Sequence, residues 1–334
     1  MQFRTPVELP RERVALDHTH RVLLLGSCFA EHVGRRMADA CFRADVNPFG
    51  VLYNPESVAL ALTALLDGLP PDSYFCDAGG VWHSWLHSGA FSAPTQEECR
   101  ARVEARLLPA RRQLAALDRL VVTLGTSRVY RLRADGRVVA NCHKAPAACF
   151  AEEALGVADV VSRWSALLDR LFALRPGLDV VFTVSPYRYA KYGLHGSQLS
   201  KAVLLLAVDE LCRRHPRCHY FPAYELVVDE LRDYRFYDAD MLHPSAQAVD
   251  YVWERFGDWA FSDATRAFLT DWAPVARALS HRPFAPDSEA YSAFLRKIDR
   301  QIGRLTEKYP NFAPCVADYL ERRRAAGEAS APHV

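Results

Sequence analysis

Short runs of apolar residues, each closed by a turn former, set the rhythm of this chain. Val22-Leu-Leu-Leu25 leaves through Gly26, Leu120-Val-Val-Thr-Leu124 through Gly125, and Leu178-Asp-Val-Val-Phe-Thr-Val184 through Ser185-Pro186. Runs of this kind suit strands buried on both faces, as in a parallel sheet. His219–Phe221 reads as a short fourth strand, and Phe42–Val46 is strand-like. Between them the period changes to that of helices. Phe29, Val33, Met37 and Cys41 recur at spacings of four, predicting a helix from about Phe29 to Cys41. Further helices are expected over Pro55–Asp67, Val157–Leu174, Ser197 (as cap) to Arg214, and Gln247–Phe256. Asp135-Gly136 marks the turn of a hairpin over Val129–Asn141. Buried strands alternating with helices indicate an α/β fold, a doubly wound parallel sheet with helices on both faces. From Ser245 onward the pattern is helical, with Pro283 and Pro286 breaking the chain before a charged helix over Ser288–Lys308. The expected division is a main domain over residues 1–262 and a helical extension over 263–334.

Composition narrows the function. The chain has 334 residues, with 41 Lys and Arg against 40 Asp and Glu, a net charge of +1. That balance speaks against nucleic acid or an anionic membrane as partner. Arg322-Arg323-Arg324, the nearest approach to a basic run, reads as a solvated helix end. The polar N-terminal stretch has no apolar core of the kind a secretory signal carries, and the longest apolar run, Ala202–Val208, is too short to span a bilayer. The nine scattered cysteines then read as reduced thiols of a cytoplasmic protein. No Cys-x-x-Cys pair occurs. His83 and His87 have metal-like spacing, but glycines crowd them and the glutamate of a zinc-protease motif is missing, so neither a metal nor another cofactor is expected.

Four segments carry candidate chemistry. Gly26-Ser27 ends a buried strand and opens a helix, which exposes a hydroxyl beside free helix N–H groups. Asn47-Pro-Phe-Gly50 follows the next strand, and its glycine can offer a backbone N–H to an oxyanion. Gly125-Thr126-Ser127 places small polar groups at a third strand end. Asp240-Met-Leu-His243 supplies, within one turn, a base and the carboxylate that fixes its tautomer. Alone, each reads as a helix cap, turn or loop. In this order, at successive strand ends, they suggest one site.

The same order resembles the SGNH/GDSL hydrolase superfamily. Gly26-Ser27 matches its first block, Asn47–Gly50 its glycine block, Gly125–Ser127 its Gly-x-Asn block and Asp240-x-x-His243 its last. More narrowly, the chain is similar to the GSCFA-domain family, whose name is spelled by residues 26 to 30. Asn47–Pro55, Thr123–Ser127, Asn141-Cys-His-Lys144, Thr183–Pro186, Ser200-Lys201 and the stretch from Tyr224-Glu225 to Ser245 strengthen the likeness, which runs from about residue 20 to 262. The resemblance implies a flavodoxin-like three-layer α/β/α sandwich, with residues 1–262 as the catalytic domain. It implies Ser27 as nucleophile, His243 as base and Asp240 as orienting carboxylate. The oxyanion would be held by the N–H groups of Ser27 and Gly50 with Ser127 or Asn141. Ser127 stands where the superfamily usually has asparagine, and Thr126 is a further substitute donor.

The implied activity is serine hydrolysis of an ester or thioester, on a small-molecule or glycan acyl ester or an acyl-CoA. Two alternatives stay open: an acyltransferase using the same triad, and a catalytically weak binding module. Around the site, Arg128, His143 and Lys144 are candidate contacts for an anionic substrate. Asn47 and Thr126 are candidate polar contacts. His87, with Trp85, lies in a glycine-flanked segment suited to a lid. Cys28 reads as a small buried hydrophobe. The oligomeric state is left open.

Overall fold

The computed structural model of the chain describes residues 4–281 and 288–329. Five strands form its central sheet: β1 (Arg21–Gly26), β2 (Arg43–Val46), β3 (Arg119–Leu124), β4 (Asp179–Val184) and β5 (Cys218–Tyr220). Their spatial order is β5-β4-β3-β1-β2, and every pairing is parallel. Because β2 pairs outside β1 and the chain then crosses back to β3, the order reverses between β1 and β3. Open α/β sheets bind ligands beyond the strand C-termini at such a switch.

Strand alternation divides the core into two layers. Leu23, Leu25, Leu120, Val122, Leu124, Val180 and Phe182 pack under α2 (Pro55–Asp67), α3 (Gln96–Leu114), α4 (Val157–Leu174) and α5 (Gly193–Arg214). Val22, Leu24, Val121 and Val181 pack on α1 (Cys28–Asp39) and α6 (Ala246–Ala260) on the other face. The expected three-layer α/β/α sandwich is thus present. Gly34 of α1 is buried, and a methyl there would meet Val46 of β2 at 2.5 Å, so the helix lies close on the sheet.

The predicted hairpin forms, with strands 128–132 and 138–139 about the Asp135-Gly136 turn, and a third strand, 150–154, adds to its other edge. The long helix α3, whose mixed charge hides a narrow buried stripe of Cys99, Val103, Leu107 and Ala110, has no clear period in the sequence. The small hairpin 74–76/82–84 likewise escapes the pattern. Two boundaries are corrected. The helix expected to end at Phe256 runs to Ala260. Helix α5 begins at Gly193, four residues before Ser197, whose hydroxyl accepts the Tyr189 N–H at 3.2 Å and does not cap the helix.

Beyond α6 come α7 (Asp263–Leu279), α8 (Glu289–Lys308) and α9 (Ala313–Ala329). Pro283 and Pro286 lie outside the described residues. Arg322, Arg323 and Arg324 are exposed on α9. Helices α7 to α9 share a core of Phe268, Trp272, Ile298, Leu305 and Phe312. They anchor where the sheet begins: Trp272 donates to the Asp39 carbonyl at 2.9 Å, and His18 stacks between Phe42 and the Phe268–Phe312 pair. Among the described residues, no helix is long and apolar enough to cross a membrane. All nine cysteines are free thiols.

Candidate active site

Local backbone chemistry places Ser27. Gly26 sits at φ 141°, a conformation that L side chains rarely adopt, and a methyl there would lie 2.1 Å from the Thr123 carbonyl oxygen. Glycine lets β1 run against β3 to its last residue and then turn sharply into α1. Ser27 therefore stands at the switch point, 1% exposed, its N–H donating to Thr123 O at 3.1 Å. Its hydroxyl is buried and, among the described residues, has no hydrogen-bond partner. A buried unpaired hydroxyl costs free energy, and such exceptions cluster at functional positions.

Asn47 ties the second segment to the first. Its Oδ1 accepts the Gly26 N–H at 2.9 Å, and its Nδ2 is buried without a partner among the described residues. The Gly50 N–H donates to the Asn47 carbonyl at 2.8 Å, closing a turn. In the third segment, the Gly125 and Thr126 N–H groups both donate to Tyr53 O, at 2.7 and 2.9 Å. Ser127 and Thr126 turn their hydroxyls to Ser200 Oγ, each at 3.1 Å, and Ser200 also accepts the Ser127 N–H at 2.7 Å. The backbone N–H of Ser27, that of Gly50 and the Ser127 hydroxyl are thus engaged, whereas Asn47 Nδ2 is free.

The fourth segment forms a compact loop. Asp240 Oδ2 and His243 Nδ1 are 2.5 Å apart, and Asp240 Oδ1 accepts the N–H groups of Leu242 and His243 at 2.8 and 2.9 Å. Those bonds, the His243 backbone N–H foremost, hold the Asp240 carboxyl down to about 2. Both side chains are about two-fifths exposed. The loop is fixed from β4: Arg188 donates its N–H to Leu242 O and Nη1 to Met241 O, each at 3.1 Å, and the Tyr187 ring lies 4.3 Å from that of His243. Tyr187 contacts Tyr189, and a methyl on Gly125 would lie 2.8 Å from Tyr189 Oη and 3.6 Å from Ser27 Cβ. Two tyrosines therefore link the His243 loop to the surroundings of Ser27, while Ser27 and His243 make no hydrogen bond to each other.

The remaining candidates lie farther out. His87 is buried, stacked on Phe49 at 4.6 Å with Nδ1 on Ser84 Oγ at 2.7 Å, and burial pushes it down to about 3, so it is a neutral packing group beneath the glycine turn. The His143 ring reaches Ser84 O at 2.8 Å, and the His143 N–H caps Asn141 Oδ1 at 2.8 Å. Asn141 lines both a cavity of about 570 Å³ with Asn47 and Gly50 and one of about 1020 Å³ with Trp85, His143 and Lys144. Arg128 stacks over Tyr192 at 4.9 Å. Cys28 is half-buried, and burial raises its thiol.

Lys201, part of the Ser200-Lys201 segment that strengthens the family likeness, was given no role in the site by sequence. It is 2% exposed, and its Nζ donates at 2.6 Å to two carbonyls, Gly125 O and Ser185 O, which follow β3 and β4. Burial pushes it down to about 7. Its position on the buried stripe of Ser197, Ser200, Leu204 and Val208 was the sequence signal for it.

Comparison with known proteins follows this geometry. The model of the GSCFA family matches residues 21–256, and that of the GSCFA domain protein, C-terminal domain, matches residues 272–317. No curated protein matches the chain. Among solved structures, the chain is similar to a protein provisionally named a platelet activating factor from Streptococcus pneumonia, at 11% identity and a TM-score of 0.38, covering 72% of this chain and 82% of that one. It is also similar to an acetyl xylan esterase from the rumen bacterium Butyrivibrio proteoclasticus, at 10% identity and a TM-score of 0.36, covering 73% and 64%.

Proposed function

From the premise that the chain belongs to the GSCFA family, we propose that it is an SGNH-type serine hydrolase cleaving an ester or thioester through Ser27, His243 and Asp240. The observation that carries this reading is the unpaired Ser27 hydroxyl at the β1/β3 switch, with a carboxylate-oriented imidazole on the neighbouring loop. Asp240 holds the proton on His243 Nδ1, which leaves Nε2 as the base. Ser27 Oγ attacks the acyl carbonyl while Nε2 takes its proton, and the imidazolium returns that proton to the departing alcohol or thiol. Water, activated by the same nitrogen, then releases the acyl group. The oxyanion meets Asn47 Nδ2, the free buried donor beside Ser27, and the N–H groups at the start of α1. Because Ser27 and His243 make no hydrogen bond here, this mechanism requires substrate binding to bring the exposed His243 loop against the serine.

A second reading, acyl transfer, has one observation in its favour. Ser27 is 1% exposed, and a nucleophile so shielded protects an acyl-enzyme from water until an acceptor arrives.

The test is labelling with a fluorophosphonate probe, followed by intact-mass and peptide mapping. Wild type is expected to carry one adduct, on Ser27, and His243→Ala to lose it by at least about a thousandfold in rate. No adduct on folded wild-type protein would sink the triad and leave the binding module as the reading.

A further inference from the structure

Beside the His243 loop lies a cavity of about 280 Å³, walled by tyrosines and floored by Lys201. Arginines elsewhere are commonly paired, as in Arg106–Asp45, Arg170–Asp67 and Arg175–Asp118. Arg188, Arg232 and Lys201 line this cavity and none makes an ion pair among the described residues. The one carboxylate in its wall, Asp233, is occupied by Arg235, with Nη2 at 3.5 Å and the N–H at 2.9 Å. Two guanidinium groups, with the buried Lys201 amine beneath them, thus face one already paired anion.

The cationic groups are also positioned. The Arg188 guanidinium lies over the rings of Tyr234 and Tyr237, at 5.3 and 5.5 Å, which fixes its plane while leaving further N–H groups free. Arg232 holds a left-handed backbone, φ 49°, where a π-helical turn over Leu226–Leu231 ends. A non-glycine residue in that region is strained, and both features concentrate at binding and catalytic positions.

We propose that this cavity binds an oxyanion of the substrate, a carboxylate or a phosphate carried by the acyl ester. Planar guanidinium groups held at a rim, over aromatic walls, match the bidentate acceptors of either group. Arg188 is bonded to Met241 and Leu242, so an anion held there would also draw the His243 loop towards the cavity. That consequence for turnover rests on the serine-hydrolase reading, whereas the binding itself does not.

The experiment is calorimetric titration of the full chain with inorganic phosphate and, separately, acetate, each against sodium chloride at matched ionic strength. Variants are Arg188→Gln, Arg188→Lys, Arg232→Gln and Arg112→Gln, an exposed arginine at the opposite end of the sheet. Saturable binding is expected, weakened roughly tenfold or more by either glutamine change in the cavity, partly restored by Arg188→Lys and unchanged in Arg112→Gln. Tighter phosphate identifies a phosphorylated ester, and acetate of equal or greater strength a carboxylated one. Absence of saturable binding by either anion, or equal loss in Arg112→Gln, overturns the proposal. Phosphate should also slow fluorophosphonate labelling of Ser27. If wild type takes no label yet binds the anion, the hydrolase reading fails and the anion site stands.

Discussion

At the residue scale the most informative side chain is Lys201. An ammonium has three donors and finds two carbonyl acceptors, whereas a neutral amine has two donors and both are used. Burial without a carboxylate disfavours the charged form, which brings the group down to about 7 from an unfolded value of 10.5. The sign follows from proton counts. Between those values the unfolded chain holds the proton and the folded chain has released it, so stability rises with pH in that window. Relative to Lys201→Met, wild type should gain about 2 kcal/mol between pH 7 and pH 9, at most about 1.4 kcal/mol per unit. Urea denaturation of both proteins at the two pH values measures this. A pH-independent difference would show that the lysine titrates alike in both states.

At the element scale, β1 and β3 meet through a contact that no other residue type permits. Gly26 pairs with Thr123 in register, and its missing side chain allows the approach. Gly26→Ala forces a methyl onto the Thr123 carbonyl and breaks the Ser27 N–H bond to the same oxygen. A loss of about 3 kcal/mol or more is expected, read as a fall in Tm or as failure to accumulate folded protein. A variant within about 0.5 kcal/mol of wild type would mean that the strand end can relax and that Ser27 is less firmly placed than the register suggests.

At the scale of the whole molecule, the C-terminal helices belong to the end of the sheet opposite the site. Their anchors, Asp39, Cys41 and His18, precede the starts of β1 and β2, whereas Ser27 and Gly125 follow strand C-termini. Trp272→Ala removes a side chain that is 2% exposed and should cost about 3–5 kcal/mol in denaturant unfolding. Labelling of Ser27, counted per folded molecule, should stay at the wild-type rate. Labelling that collapses while the protein remains folded would show that the extension supports the catalytic end after all.

The sequence by itself determined whatever depends on local pattern. Buried runs such as Val22–Leu25 suit a covered parallel sheet, so the strands and the α/β layering were legible within a residue or two, whereas α5 begins and α6 ends four residues beyond the expected bounds. Strand ends also announced where polar segments would gather, because ligands collect there. The sequence left α3 and the strand at 150–154 unread, since α3 shows the core only a narrow stripe and the strand is mostly exposed beyond Phe150. Tertiary structure alone decided which donors stay free. Ser127 and Gly50 are used up by Ser200 and Asn47, partners 73 and 3 residues away, while Asn47 Nδ2 is left over. It also decided that Lys201 lies buried between two strand ends and that unpaired cations collect beside His243. Hydrogen-bond partners and charge neighbours are set by contacts across the chain, and periodicity carries no record of them.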